Sequence, residues 1–256
     1  MTAAATDLLL AALELARLTG QTALRHFRGA VAVERKGDGS PVTIADREAE
    51  WSAREWIASR FPDDAILGEE YGETPGTSGR RWLLDPIDGT RTFVRGVPLW
   101  GSLIAVIEAD TVLAGAACYP ALGEDIAAAP GRGCWHKGTR CSVSKVATLE
   151  DAAVLTTDER GFTEPKAARS WNRLAGSSRT VRTWGDCYGY LLVATGGAEV
   201  MVDARLNPWD AACFVPIIRE AGGVITDLAG REGWNLQSAI ATNAAIAGVA
   251  RACFIE

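Results

Sequence analysis

Between residues 7 and 27 apolar side chains recur every three or four positions, and Gly29 follows, a pattern that predicts a long helix. The run Leu8-Leu9-Leu10-Ala11-Ala12-Leu13 is interrupted in helical register by Glu14 and Arg17 and no basic stretch precedes it, so it predicts an amphipathic first helix rather than a leader peptide. A second helix is predicted from Thr43 to about Arg60. Between the two, Val31-Ala32-Val33-Glu34 alternates briefly. Lys36-Gly37-Asp38-Gly39-Ser40-Pro41 then gathers every turn-forming residue type and predicts a mobile loop.

The period then changes. Short apolar strands are predicted at 65–68 and 82–84, each running directly into acidic residues, followed by strands at 102–108, 112–119 and 125–129. These succeed one another without a helix, so they predict an antiparallel meander, and the glycine-rich stretch holding Cys134 and His136 reads as a turn. From 149 onward strands and helices alternate: strand 153–156, helix 164–175, strand 179–182, helix 187–195, strand 199–202, one helix over 208–221, strands 224–226 and 239–242, and a last helix after Asn243. No repeat or low-complexity linker divides the chain. The expectation is a single unit over 1–256, with two sheet-bearing halves of about 1–148 and 149–256.

Composition narrows the partners. At 48% hydrophobic and 23% charged the chain is of ordinary globular make-up, and it has no apolar run long enough to cross a bilayer. The net charge of −6, without a basic block, argues against a nucleic-acid partner and leaves a small polar molecule as the easier one. Six cysteines lie far apart with no C-x-x-C pair, which suits reduced thiols and a cytoplasmic setting, and the two histidines give no soft-metal set. Trp51, Trp56 and Trp100 are expected in the core.

Acids at strand ends are the candidate chemistry. In Asp85-Pro86-Ile87-Asp88-Gly89-Thr90 two aspartates three apart flank a proline that enforces a turn, which lets both carboxylates converge and leaves the Ile87 carbonyl free. A short helix is expected from Gly89-Thr90 to Phe93, its first N–H groups suited to a phosphate oxygen. Glu69-Glu70 ends the preceding strand, and Trp209-Asp210 opens a helix far away in sequence. Such a set fits Mg²⁺, which takes oxygen ligands and keeps water and phosphate in its shell. Each piece also has a plain reading. Asp85 and Asp88 would be turn residues, Glu69-Glu70 a solvated pair, Asp46 a first-turn acid of the second helix, and Asp210 a partner of its helix dipole.

Gly68-Glu69-Glu70, Trp82-Leu83-Leu84-Asp85-Pro86-Ile87-Asp88-Gly89-Thr90, Asn207-Pro208-Trp209-Asp210-Ala211-Ala212 and Glu220-Ala221-Gly222-Gly223 together resemble the inositol monophosphatase superfamily, across nearly the whole chain. The resemblance implies an α+β fold, a layered α-β-α-β-α sandwich, commonly a homodimer, and an Mg²⁺-dependent, lithium-sensitive phosphate monoester hydrolase with two or three ions per active site. It implies one metal on Glu69, Asp85 and the Ile87 carbonyl, a second on Asp85, Asp88 and Asp210, and a weaker third near Glu69, with Glu70 behind these ligands. Thr90 with Glu69 would orient the attacking water, Asp46 would support the Thr90 hydroxyl, and the Gly89 and Thr90 amides would bind phosphate. Water would attack in line without a phosphoenzyme, in keeping with the lack of an evident Ser/His/Asp set.

The second half is expected to choose the leaving group. With Arg91 to Gly101 and Val202 to Asp210, the segment Arg182-Thr183-Trp184-Gly185-Asp186-Cys187-Tyr188-Gly189-Tyr190 resembles the histidinol-phosphate phosphatase branch of that superfamily. A carboxylate at Asp186, and one at Asp203, suits the ammonium and imidazole of histidinol phosphate. The plainer role for Asp186 is to cap the helix at Cys187. An inositol-1-phosphate or broad sugar phosphatase is the alternative within the class, bisphosphates being disfavoured because no basic cluster is evident in the sequence. A catalytically silent binding relative is the alternative outside it.

Overall fold

Thr43 begins the second helix in the way its side chain dictates: its hydroxyl accepts the Ala45 N–H, and Asp46 reaches back to the Thr43 N–H, closing a capping box. The computed structural model describes residues 3–29, 32–35, 37 and 41–255. Val31 of the predicted first strand, and Lys36 with 38–40 of the predicted loop, lie outside the described residues.

The first half runs α1 (Ala3–Leu24), β1 (Val33–Arg35), β2 (Pro41–Thr43), α2 (Ile44–Arg60), β3 (Ala65–Gly68), β4 (Gly72–Thr74), β5 (Arg80–Asp88), α3 (Thr90–Val94), β6 (Gly101–Glu108), β7 (Thr111–Tyr119), β8 (Glu124–Ala128), β9 (Cys134–His136) and β10 (Thr139–Arg140). The second half runs β11 (Ala153–Leu155), α4 (Pro165–Gly176), β12 (Thr180–Arg182), α5 (Cys187–Ala194), β13 (Val200–Asp203), α6 (Pro208–Ala211), α7 (Phe214–Glu220), β14 (Gly223–Thr226), β15 (Ala239–Asn243) and α8 (Ala247–Ile255).

Two sheets carry the fold. The eight-stranded one is ordered β10-β9-β8-β7-β6-β5-β3-β4, antiparallel throughout except for the β3–β5 pair. The five-stranded one is ordered β12-β11-β13-β15-β14, with β11 parallel to both β12 and β13. Alternation along each strand sorts the layers. Trp82, Leu84, Ile104, Val106 and Ala116 pack against Leu15 and Ala16 of α1 and Ala53 and Ile57 of α2. Leu83, Leu103, Ala105 and Ile107 point the other way, onto Tyr190 of α5 and Phe214 and Ile217 of α7. Met201 and Ala241 of the small sheet close that middle layer, and Val200, Val202 and Ile240 face outward onto Trp171, Leu174 and Phe254 of α4 and α8. The result is the α-β-α-β-α stack, each buried Leu or Ile contributing roughly 1.5–3 kcal/mol by leaving water.

Four expectations from sequence are corrected. The helix expected over 208–221 is two, α6 and α7, because Pro216 cannot sit deep in a helix without clashing with the carbonyl four residues earlier; the helix restarts so that Pro216 falls in its first turn. Cys134 and His136 are in strand β9, held there by pairing with β8, and the turn is Lys137-Gly138, both at positive φ. Helix α1 ends at Leu24, and turns carry the chain on to Gly29. Trp100 is fully buried, but Trp51 is 56% exposed, its ring edge-on to Tyr71.

Candidate active site

The loop that ends β5 is built on a bulge. In a regular strand, residues three apart point to opposite faces, and Asp85 and Asp88 would diverge. Here Asp85 pairs with Leu103 and Asp88 with Gly101, so Pro86 and Ile87 together oppose Ser102 alone, and the extra residue brings both carboxylates to one cavity. Pro86 has no N–H to leave unpaired, and its carbonyl accepts the Ser102 hydroxyl at 2.6 Å. Gly89 then turns at φ +89°, a conformation that favours glycine, and any Cβ there would meet the Asp186 carboxylate 3.0 Å away.

That cavity, of about 310 Å³, is lined by Glu69, Asp85, Ile87, Asp88, Gly89, Thr90, Asp186 and Asp210, together with Pro41, Arg91, Arg205 and Asn207. Three separate parts of the fold deliver the acids. Glu69 follows β3, whose parallel pairing with β5 sets the two strand ends side by side. Asp210 arrives on α6 as the third residue of a capping box, accepting the Asn207 N–H at 2.7 Å. Asp88 reaches across to the second half and accepts the N–H of Cys187 at the start of α5.

Thr90 stands between Asp46 and the Ile87 carbonyl. Its hydroxyl lies 3.2 Å from Asp46 Oδ1 and 3.0 Å from the Ile87 carbonyl, while Asp46 Oδ2 accepts the Thr43 hydroxyl and N–H. The Ile87 carbonyl accepts the Thr90 hydroxyl, which occupies one of its two lone pairs. The plain readings of Asp46 and Asp210 hold at the same time: each closes a capping box, while Asp46 turns its other oxygen to Thr90 and Asp210 lines the cavity.

Glu50 was missed from sequence. Fully buried on α2, it accepts the N–H of Glu70 at 2.7 Å and of Tyr71 at 3.1 Å, and Arg54 clamps it at 2.8 Å. It thereby fixes the turn that presents Glu69. Gly68 is required beside it, since a Cβ there would lie 2.1 Å from the Glu50 carboxylate. A signal was present: Asp46 and Glu50 fall within the buried stripe Ala45, Ala49, Ala53, Ile57, and an acid on an apolar stripe needs a partner. Glu70 is half-buried and stands outside the cavity lining.

Asp186 and Asp203 separate in the structure. Asp186 sits at φ +49°, unusual for a residue with a Cβ, and does not cap α5; its carboxylate instead accepts the Thr92 hydroxyl at 2.9 Å. Its N–H is held by Thr157 Oγ1 at 2.8 Å. Asp203 lies beneath the wall, buried, accepting the Thr157 N–H at 3.2 Å and the Tyr190 hydroxyl at 3.0 Å. It touches the Asp186 turn through Thr157 and does not line the cavity. A second cavity of about 490 Å³ shares Arg91 and Asp186 with the first and brings in Arg95, Arg160 and Asp158. A basic group thus exists beside the site that the sequence, with these residues up to 69 positions apart, did not reveal.

Like charges dominate the floor. Burial, then Glu69, Asp88 and Asp210, hold the Asp85 carboxyl well above the usual range, and burial, then Asp186 and Asp210, do the same for Asp88. Asp210 is raised to about 7, chiefly by burial, against the opposing Asn207 N–H. Burial also raises Asp46, and takes Asp203 to about 6. Among the described residues no three acids form a closed coordination group, and Asp88 and Asp210 each accept a backbone N–H. The donor chemistry nonetheless fits a hard divalent cation: every candidate donor is oxygen, half-buried Glu69, Asp88 and Asp210 crowd around buried Asp85, and ionising them together calls for positive charge.

The family model of the inositol monophosphatases matches residues 5–254. The chain belongs to the inositol monophosphatase family. A histidinol-phosphatase of Chlorobaculum parvum is 44% identical over 86% of each chain, and one of Mycobacterium tuberculosis is 38% identical over 93% of each. In three dimensions an inositol monophosphatase of Thermotoga maritima superposes with a TM-score of 0.87 at 32% identity, covering 97% of this chain and 96% of its own. The layered α+β fold is the family's, and the chain is a phosphoric monoester hydrolase of that family. No helix among the described residues is long and apolar enough to cross a membrane.

Proposed function

We propose that this chain hydrolyses L-histidinol phosphate to L-histidinol and phosphate, with Mg²⁺ held by Glu69, Asp85, the Ile87 carbonyl, Asp88 and Asp210. The observation that carries the substrate is Asp186. Its carboxylate stands over Gly89, at the wall shared by the two cavities, so the part of a substrate beyond its phosphate meets a negative group held in place by Thr92. An ammonium or imidazolium suits that position through charge-assisted hydrogen bonds. The similarity to two histidinol-phosphatases points the same way.

Bound on the acidic floor, Mg²⁺ would supply Lewis-acid stabilisation of phosphoryl charge and lower the pKa of water. The chain's own residues do the rest. Thr90, with its hydroxyl between Asp46 and the Ile87 carbonyl, orients water together with Glu69, and the Gly89 and Thr90 amides bind the phosphate oxygens. Asp203 acts one step back, holding Thr157 and through it the Asp186 turn.

Phosphate release from histidinol phosphate, inositol 1-phosphate and fructose 1,6-bisphosphate in millimolar Mg²⁺ tests the reading. Histidinol phosphate should have the highest kcat/KM, and Asp186→Ala should lower its advantage over inositol 1-phosphate about tenfold, one charge-assisted contact. An unchanged ratio would refute the role of Asp186. A sugar-phosphate reading is favoured by one observation, Arg91, Arg95 and Arg160 around the second cavity, and would be indicated by preferential hydrolysis of the bisphosphate. No phosphate release from any ester would indicate a silent relative.

A further inference from the structure

Away from the phosphatase site, strands β9 and β10 bring two cysteines face to face. Thr139 pairs with His136 and Arg140 with Trp135, so the next position sets Cys141 opposite Cys134. The Cys141 N–H donates to the Cys134 carbonyl at 3.0 Å, and the Cys141 Sγ lies 3.7 Å from the same oxygen. Lys137 and Gly138, both at positive φ, form the two-residue turn that locks this register, and β8 pairs with Cys134 from the other side. Directly opposed residues of a hydrogen-bonded antiparallel pair have Cα atoms about 5.5 Å apart, inside the roughly 4.4–6.8 Å that a disulfide spans. Both thiols are free; Cys134 is buried and Cys141 is partly open to solvent.

We propose that Cys141 and Cys134 form a peroxide-reactive dithiol, Cys141 the attacking thiol and Cys134 the resolving one, a modification site separate from the phosphatase centre. The Cys141 thiolate attacks one oxygen of hydrogen peroxide, the O–O bond breaks, and the departing hydroxide takes a proton, leaving a sulfenic acid on Cys141. The Cys134 sulfur then attacks the Cys141 sulfur, gives up its proton and displaces water. Two thiols and one peroxide become one disulfide and two waters, the sulfurs being oxidised and the peroxide reduced.

The surroundings support that division of roles. Cys134 donates its S–H toward Cys141 and, with the backbone N–H groups of Cys141 and His136, holds the Cys141 thiol below its ordinary value. Bonding to Cys141 and burial push Cys134 up. Burial raises Cys118 to about 12, and Cys187 and Cys213 are fully buried, so these stay out of reach of solvent peroxide.

The test treats the intact enzyme with hydrogen peroxide, blocks remaining thiols and maps peptides by mass spectrometry. Wild type should lose two of its six alkylatable thiols and yield a Cys134–Cys141 cross-linked peptide. Before oxidation, Cys141 should be alkylated about tenfold faster than any other cysteine. Cys134→Ser should stop the reaction at a Cys141 sulfenic acid trapped by dimedone, and Cys141→Ser should abolish the cross-link and leave Cys134 reduced. Both variants should retain wild-type phosphate release, which reports that they fold. A full set of free thiols after peroxide, or a disulfide joining any other pair, would overturn the proposal.

Discussion

The acidic floor and the Asp186 wall both present carboxylates to one cavity, but they are made differently. On the floor, each acid is placed by a backbone device with several anchors: the bulge at Pro86-Ile87 for Asp85 and Asp88, the capping box of α6 for Asp210, and the Glu50 clamp for the turn carrying Glu69. The wall depends on one residue at positive φ, held by Thr92 and Thr157. Redundant anchoring suits ligands whose geometry must not drift, since misplacement at a reacting centre is costly. A lightly anchored wall can change with the leaving group while the chemistry stays. Under the proposed function, the floor would define the reaction and the wall the substrate.

The largest effect should come from the floor. Asp88→Asn keeps an oxygen for the Cys187 N–H but removes a charge, and should lower kcat by about a thousandfold or more with the circular dichroism spectrum intact, the scale of losing a transition-state electrostatic contact. Activity within about tenfold of wild type would remove Asp88 from the proposed metal site.

Next, Glu50→Gln tests whether a residue that touches no reactant positions Glu69. Unpairing Arg54 in a buried setting should cost about 3 kcal/mol in denaturant unfolding. The Mg²⁺ concentration for half-maximal activity should also rise, by about tenfold, while kcat at saturating Mg²⁺ changes less. Glu50→Asp should recover part of the Mg²⁺ response. A loss of stability with an unchanged Mg²⁺ requirement would make Glu50 structural only.

Asp186→Asn probes the wall, because Asn tolerates positive φ and can still accept from Thr92. Its kcat/KM for histidinol phosphate should fall about tenfold and that for inositol 1-phosphate about twofold or less. Equal losses on both esters would place Asp186 with the floor.

The smallest effect is a stability trend. Asp210 ionises near 7 in the folded chain against 3.8 ordinarily, and Asp85 and Asp88 are raised in the same sense, so the folded state holds more protons than the unfolded chain in that window. Stability is then present in acid and is lost as pH rises through about 7, provided no cation is bound. Thermal melts in EDTA should fall by several degrees from about pH 5 to about pH 8, and Mg²⁺ should reverse most of that fall at the upper pH. A melting temperature in EDTA that rises over this range would contradict the crowded floor.

Much of this molecule was legible in the chain. Hydrophobic period placed α2, β3, β6 and β7 to within a residue or two, and the motifs around Asp85, Asp88, Glu69 and Asp210 named the family before any coordinate. Those features are local: alternation follows from strand geometry, and Pro86 and Gly89 act on their own dihedrals. What escaped depends on neighbours distant in sequence. Glu50 has meaning only through the turn 20 residues later, and Asp88 through a helix that begins 99 residues away. Asp203 and Asp186 look equivalent as acids in one stretch, yet the packing of β13 buries one and the turn before α5 exposes the other to the cavity. Cys134 and Cys141 show no recognisable spacing, and become a pair only because a two-residue turn sets their register. The sequence by itself determined which elements form and which acids stand at their ends, because those follow from local backbone chemistry. Only the tertiary structure decided which of them meet, because burial and like-charge crowding arise when distant segments share one low-dielectric space.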